Sequence, residues 1–146
     1  MKKPLIIFSL MLSLFIAFVI YGKSISQKNV DYLKEVNLRL SGTVYDITEL
    51  KQGHDIGILS LDLISTSIKK YDERNNRKIY FGVIDGDKAE IIFTFISIIK
   101  IGDEIIIKGT DYKVVREGKT IRYGKWDLPI DLLGNSFQEI SKKISL

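Results

Sequence analysis

Two lysines, Lys2 and Lys3, stand before a run from Pro4 to Tyr21 that carries no charge and, among polar side chains, only Ser9 and Ser13. Such a run, about 18 residues long, is close to what a helix needs to cross a bilayer. Lysines ahead of it hold that end in the cytoplasm and direct the rest of the chain to the other side. Two readings stand side by side. The length favours an uncleaved anchor, whereas Ser24 and Ser26 before Gln27 offer a signal peptidase the small residues it needs. No cysteine comes after the run, so a lipoprotein-type modification is excluded. The expected location is a bacterial cell envelope: the cytoplasmic membrane with the domain on its non-cytoplasmic side, or the periplasm or medium after cleavage. Residues 1–22 form the signal peptide or transmembrane anchor in this reading, residues 23–34 a polar linker, and residues 35–146 the folded domain.

The formal charge of +4 overstates the basic character of that domain. Without Lys2 and Lys3 the 22 Lys and Arg fall to 20 against 18 Asp and Glu, a net of +2, with the two signs interspersed. That is the pattern of a solvated surface more than of a polyanion-binding face. The absence of cysteine removes thiolate metal sites, disulfides and thiol nucleophiles.

Beyond the linker, period two dominates. Val36, Leu38, Leu40 and Val44 alternate with Asn37, Arg39, Ser41 and Thr43, with Gly42 on the apolar face as a candidate bulge. A second strand is expected over Ile56 to Thr66. Ile79–Ile84 and Ala89–Phe95 are joined by Asp85-Gly86-Asp87-Lys88, a strong hairpin signal. The run from Ile91 reads as strand, then a short helical turn, then a Gly102-Asp103 turn into a strand over Glu104–Lys108. Tyr112–Arg116 pairs with Thr120–Tyr123 around Glu117-Gly118-Lys119. Ser136 and Glu139 stand at capping-box spacing ahead of a short final helix whose apolar face is Phe137, Ile140 and Ile144.

The order of these elements resembles an oligonucleotide/oligosaccharide-binding (OB) barrel. The resemblance rests on L-R-L-S-G-T-V-Y-D-I, Leu38 to Ile47, as a first strand with its glycine, and on I-K-I-G-D-E-I-I-I-K-G, Ile99 to Gly109, leading out of an inter-strand helix. The whole arrangement also looks like the small exported or N-terminally anchored β-barrel proteins of unknown function found in Bacteroidetes-type bacteria. Glu104 stands where that group more usually has serine, and its lysine is displaced to Lys108. The fold expected is therefore mainly β: a small OB-like barrel of about 5–7 strands with an N-terminal transmembrane or signal helix and a short C-terminal helix. The resemblance implies a location and a fold, and no activity.

Chemistry is thinly supplied. The chain has one histidine, His54, in a polar loop beside Asp55, so general-base, zinc and haem schemes would all rest on a single residue. Asp85 and Asp87 lack the further ligands of a calcium loop. No cofactor and no enzymatic activity are expected.

The segment Lys69–Lys78, with five basic and two acidic residues, offers Lys69, Lys70, Arg74, Arg77 and Lys78 as cations beside Tyr71 and Tyr80, and Trp126 is a further candidate for that surface. An exposed hairpin loop is the plainer account of the same stretch. The leading functional expectation is a non-catalytic binding or assembly module that contacts a protein partner in the cell envelope, docking through a barrel face or the face of the last helix. The alternative is a groove for a linear polymer, oligosaccharide or single-stranded nucleic acid, with Tyr71, Tyr80, Tyr112, Tyr123 or Trp126 stacking on it. Export disfavours nucleic acid and leaves oligosaccharide as the better polymer.

Overall fold

A single helix, α1 (Lys2–Val36), carries the chain from its apolar start into the core of a β domain. The computed structural model describes residues 2–50, 55–75, 79–129 and 140–146. At 35 residues α1 is about 52 Å long, well beyond the thickness of a bilayer's hydrocarbon. Pro4 lies in its first turn, where backbone N–H groups have no intrahelical partner to lose. The N-terminal part is long and apolar enough to cross a membrane. Its best 18-residue window has a mean hydropathy of 2.1 and no buried residue.

The expected linker is instead the second half of this helix. Asn29, Tyr32 and Leu33 are buried and Val36 is half-buried, a stripe at spacings of three and four. The polar composition of Lys23–Lys34 lies on the opposite face of the helix, which is why the stretch resembles a tether. The helix ends at Asn37, whose φ of 46° and N–H bond to the Leu33 carbonyl (3.0 Å) form a left-handed cap. Val36 and Asn37 therefore end a helix and do not open the first strand.

Among the described residues eight strands come after it: β1 (Arg39–Glu49), β2 (Ile56–Thr66), β3 (Lys70–Asp72), β4 (Gly82–Asp85), β5 (Lys88–Thr94), β6 (Glu104–Lys108), β7 (Asp111–Arg116) and β8 (Lys119–Lys125). They form one antiparallel sheet in the order β3-β4-β5-β2-β1-β6-β7-β8. Within it, β2 lies beside β5 and is followed by the meander β3-β4-β5, a Greek-key arrangement.

The predominantly β class agrees with the sequence. The OB-like barrel does not: the sheet is open, with β3 and β8 as its two edges, and has eight strands where five to seven were expected. Closure requires the outermost strands to pair. Here α1 reaches both sides of the gap, through Tyr32, whose hydroxyl meets that of Tyr71 on β3, and through Asn29, whose amide donates to the Leu128 and Pro129 carbonyls just beyond β8 (both 3.3 Å).

Local geometry reflects the turn chemistry. Register shifts at Ser41/Gly42 and Val44/Asp46 bend β1 against β2, the first of them at the glycine expected to form a bulge. Gly86 (φ 63°) turns the β4–β5 hairpin, and Glu117 (φ 50°) with Gly118 (φ 76°) turns β7 into β8. A 3-10 turn over Ile96–Ile98 separates β5 from the Gly102-Asp103 turn. At Gly82 glycine is obligatory on two counts. Its φ is 150°, and a Cβ there would lie 2.0 Å from the Glu90 carbonyl oxygen.

The final helix is not shown. Residues 140–144 make a turn in which Lys143 and Ile144 donate to the Ile140 carbonyl (2.9 and 3.2 Å), while Ser136, Phe137 and Glu139 lie outside the described residues.

Candidate binding surface

Of the residues nominated from sequence, Tyr71, Tyr80, Trp126, Ile140 and Ile144 are packed in or against the core. Tyr80 is buried, and burial pushes its hydroxyl above the ordinary phenol range. Trp126 is 1% exposed, donates Nε1–H to the Ile92 carbonyl (3.1 Å) and meets Phe81 edge-on at 5.6 Å. Tyr71 is half-buried and stacks on Phe81 with centroids 4.3 Å apart. Tyr112 is buried too, edge-on to Phe93 at 4.9 Å. The aromatic surface proposed for a linear polymer is thus mainly core, and only Tyr123, at 78% exposure, stands in solvent.

Three of the five cations of the Lys69–Lys78 segment, Lys69, Lys70 and Arg74, lie among the described residues. Arg74 binds Asp72 through Nε (2.9 Å) and Nη2 (2.6 Å), and its guanidinium holds the Asp72 carboxyl below the usual carboxylate range. The same Nη2 donates to the Leu146 carbonyl (2.9 Å). Lys69 and Lys70 are exposed, with Lys70 opposite Asp85 across the β3–β4 pair. Arg77 and Lys78 lie outside the described residues, as does His54.

The C-terminal segment is fastened from the other side by Glu90. That carboxylate, 4% exposed, accepts from the backbone N–H of Ser145 (2.6 Å) and from its hydroxyl. Ile140 and Ile144, the described part of the expected docking face, are buried in the chain's own core.

The Gly102-Asp103 turn is held in a comparable way. Asp103, 1% exposed, takes two bonds from Arg116 (Nε to Oδ1 2.7 Å, Nη2 to Oδ2 2.8 Å) and one from the Lys100 N–H (2.8 Å). Arg116 keeps the Asp103 carboxyl below the ordinary range. Nη2 also donates to the Ile98 carbonyl (2.9 Å), so this pair ties the 3-10 turn to β7. Its role is structural.

The outer face of β6, β7 and β8 is different. Ile105, Ile107, Tyr112 and Val114 point into the core, which turns Ile106, Lys108, Asp111 and Lys113 outward. The register aligns Ile106 with Lys113 and Lys113 with Tyr123 in one cross-strand row, and Lys108, Asp111 and Lys125 in the next. Ile106, Lys108, Asp111, Lys113 and Tyr123, with Tyr112 and Gly124, line a shallow depression of about 270 Å³.

Asp111 is committed to Lys125 (2.6 Å). Lys108 and Lys113 have no ion pair among the described residues. The surface was readable only in part: the Glu117-Gly118 turn alone would set Lys113 opposite Arg122, and it is the register shift between Val114 and Val115 that brings Lys113 to face Tyr123, while Ile106 joins them through the β6–β7 pairing.

Among the described residues no group of three or more His, Cys, Asp or Glu is placed to hold a metal. Comparisons with protein-family models, with curated proteins and with solved structures find no match.

Proposed function

We propose that this chain is a membrane-anchored, non-catalytic binding or assembly module that holds a protein partner on the outer side of a bacterial cytoplasmic membrane. The observation that carries the reading is the continuity of α1. One helix is bare and apolar through its first half and packed into the core through its second. The domain therefore sits at a fixed height and orientation above the bilayer. Confinement of this kind raises the effective concentration of a partner at the same surface, so weak contacts suffice. Ile140 and Ile144 serve the core, and the face offered outward is that of β6 to β8, with Tyr123 at its edge.

A photo-crosslinking side chain placed at Tyr123 in cells should give a discrete adduct in the membrane fraction. The same group at Ile64, 65% exposed on β2, should give none. A well-expressed, membrane-held protein that crosslinks equally from both positions, or from neither, would overturn the proposal.

A further inference from the structure

The sheet has two edges, and they are not equivalent. β3 is three residues long, and its central Tyr71 is stacked on Phe81 and met by Tyr32. β8 is seven residues long, pairs only with β7 among the described residues, and has no residue fully buried. Ile121 and Tyr123 are exposed along it at 42% and 78%. A strand edge left bare presents backbone donors and acceptors ready to pair with another chain.

The charges along this edge select what can pair. Lys119 and Lys125 flank it, Lys125 already bound to Asp111 (2.6 Å), and Lys113 lies one strand inward with no counterion among the described residues. A second copy of the chain pairing antiparallel about Arg122 would set Lys119 against Lys125 and Arg122 against itself. Like charges directly opposite one another destabilise a strand pair, so the edge rejects its own kind. An acidic strand meets the reverse situation. Lying about 4.8 Å beyond β8, its outward side chains come within reach of Lys113 and Lys125, which share the outward face, and an apolar one between them covers Tyr123 at the rim of the depression.

We propose that β8 is a docking edge for an extended acidic segment of a partner protein, which joins the sheet as its next strand. This deepens the partner reading and rests on it.

The test uses the full-length protein in nanodiscs and a fluorescent peptide of alternating valine and glutamate. Anisotropy should show saturable binding, and hydrogen exchange should slow across residues 119–125. Lys113→Glu with Lys125→Glu should weaken that binding by about tenfold or more, as reversal of rim charges does. Methylation of alternate peptide nitrogens, which removes strand hydrogen bonds without altering charge, should abolish it. Absent binding, binding indifferent to methylation, or protection that falls elsewhere than 119–125 each overturns strand addition. If the Tyr123 crosslink persists in such a case, the partner reading stands and only its mode is wrong. If the crosslink is also missing, both fall.

Discussion

The two charged regions of this molecule invite opposite readings from sequence and from structure. The Lys69–Lys78 side carries the densest charge in the chain, yet Arg74 is spent on Asp72 and the C-terminal carbonyls, and Tyr71 and Tyr80 pack inward. The outer face of β6 to β8 has fewer charges, and those of Lys108 and Lys113 are spent on nothing among the described residues. What separates a structural charge from an available one is the partner it meets after folding. Density along the chain does not report that.

This contrast can be broken or sharpened by substitution. The largest expected effect is at the helix that supports the first region. Leu33→Ala removes a side chain 1% exposed between α1 and the sheet, and should cost about 3 kcal/mol, read by urea unfolding through the buried Trp126. A loss under about 0.5 kcal/mol, the scale of a surface substitution, would mean that α1 is only leaning on the domain.

Asp103→Asn should come next, at about 2 kcal/mol, because it leaves the Arg116 fork without its carboxylate. The effect should depend on pH. The carboxyl is held below its ordinary range when folded, so its contribution is complete above the unfolded value of about 4 and drains away as pH falls through the folded value. The native protein should lose stability over that acid range more steeply than the Asn variant. Parallel curves would remove Asp103 from the account.

Glu90→Gln should cost about 1 kcal/mol and raise proteolysis of the 140–146 segment, since the Ser145 N–H and hydroxyl lose a charged acceptor. Lys113→Ala, on the other face, should change stability by less than about 0.5 kcal/mol. If it costs as much as Glu90→Gln, the charge of β7 is structural after all and the contrast collapses.

Much of the local architecture was legible in the chain. Alternation and glycine-bearing turns placed β2 at Ile56–Thr66 and β6 at Glu104–Lys108, because a strand's period and a positive φ are written in neighbouring residues. The docked half of α1 was legible too, in the spacing of Asn29, Tyr32, Leu33 and Val36, but its polar composition masked it.

Strand order was not legible. β1 pairs with β6 and β2 with β5, contacts between distant segments that no local pattern specifies. Nor does an aromatic residue in sequence say whether its ring lies inside, as Trp126 does, or outside, as Tyr123 does. The apolar face of Ile140 and Ile144 was recognisable as a face to be covered, and the cover proved to be the domain itself.

In the anchored protein proposed above, the unbroken passage of α1 from its apolar half into the domain would make the molecule a lever. Membrane helices tilt by about 20° on average, and tilt answers to the thickness of the bilayer around them. With no swivel between anchor and domain, each change of tilt must swing the whole sheet sideways and move the β8 edge nearer to the lipid or away from it. A lipid environment that thins or thickens would thereby alter how β8 meets a neighbour, without any change within the domain.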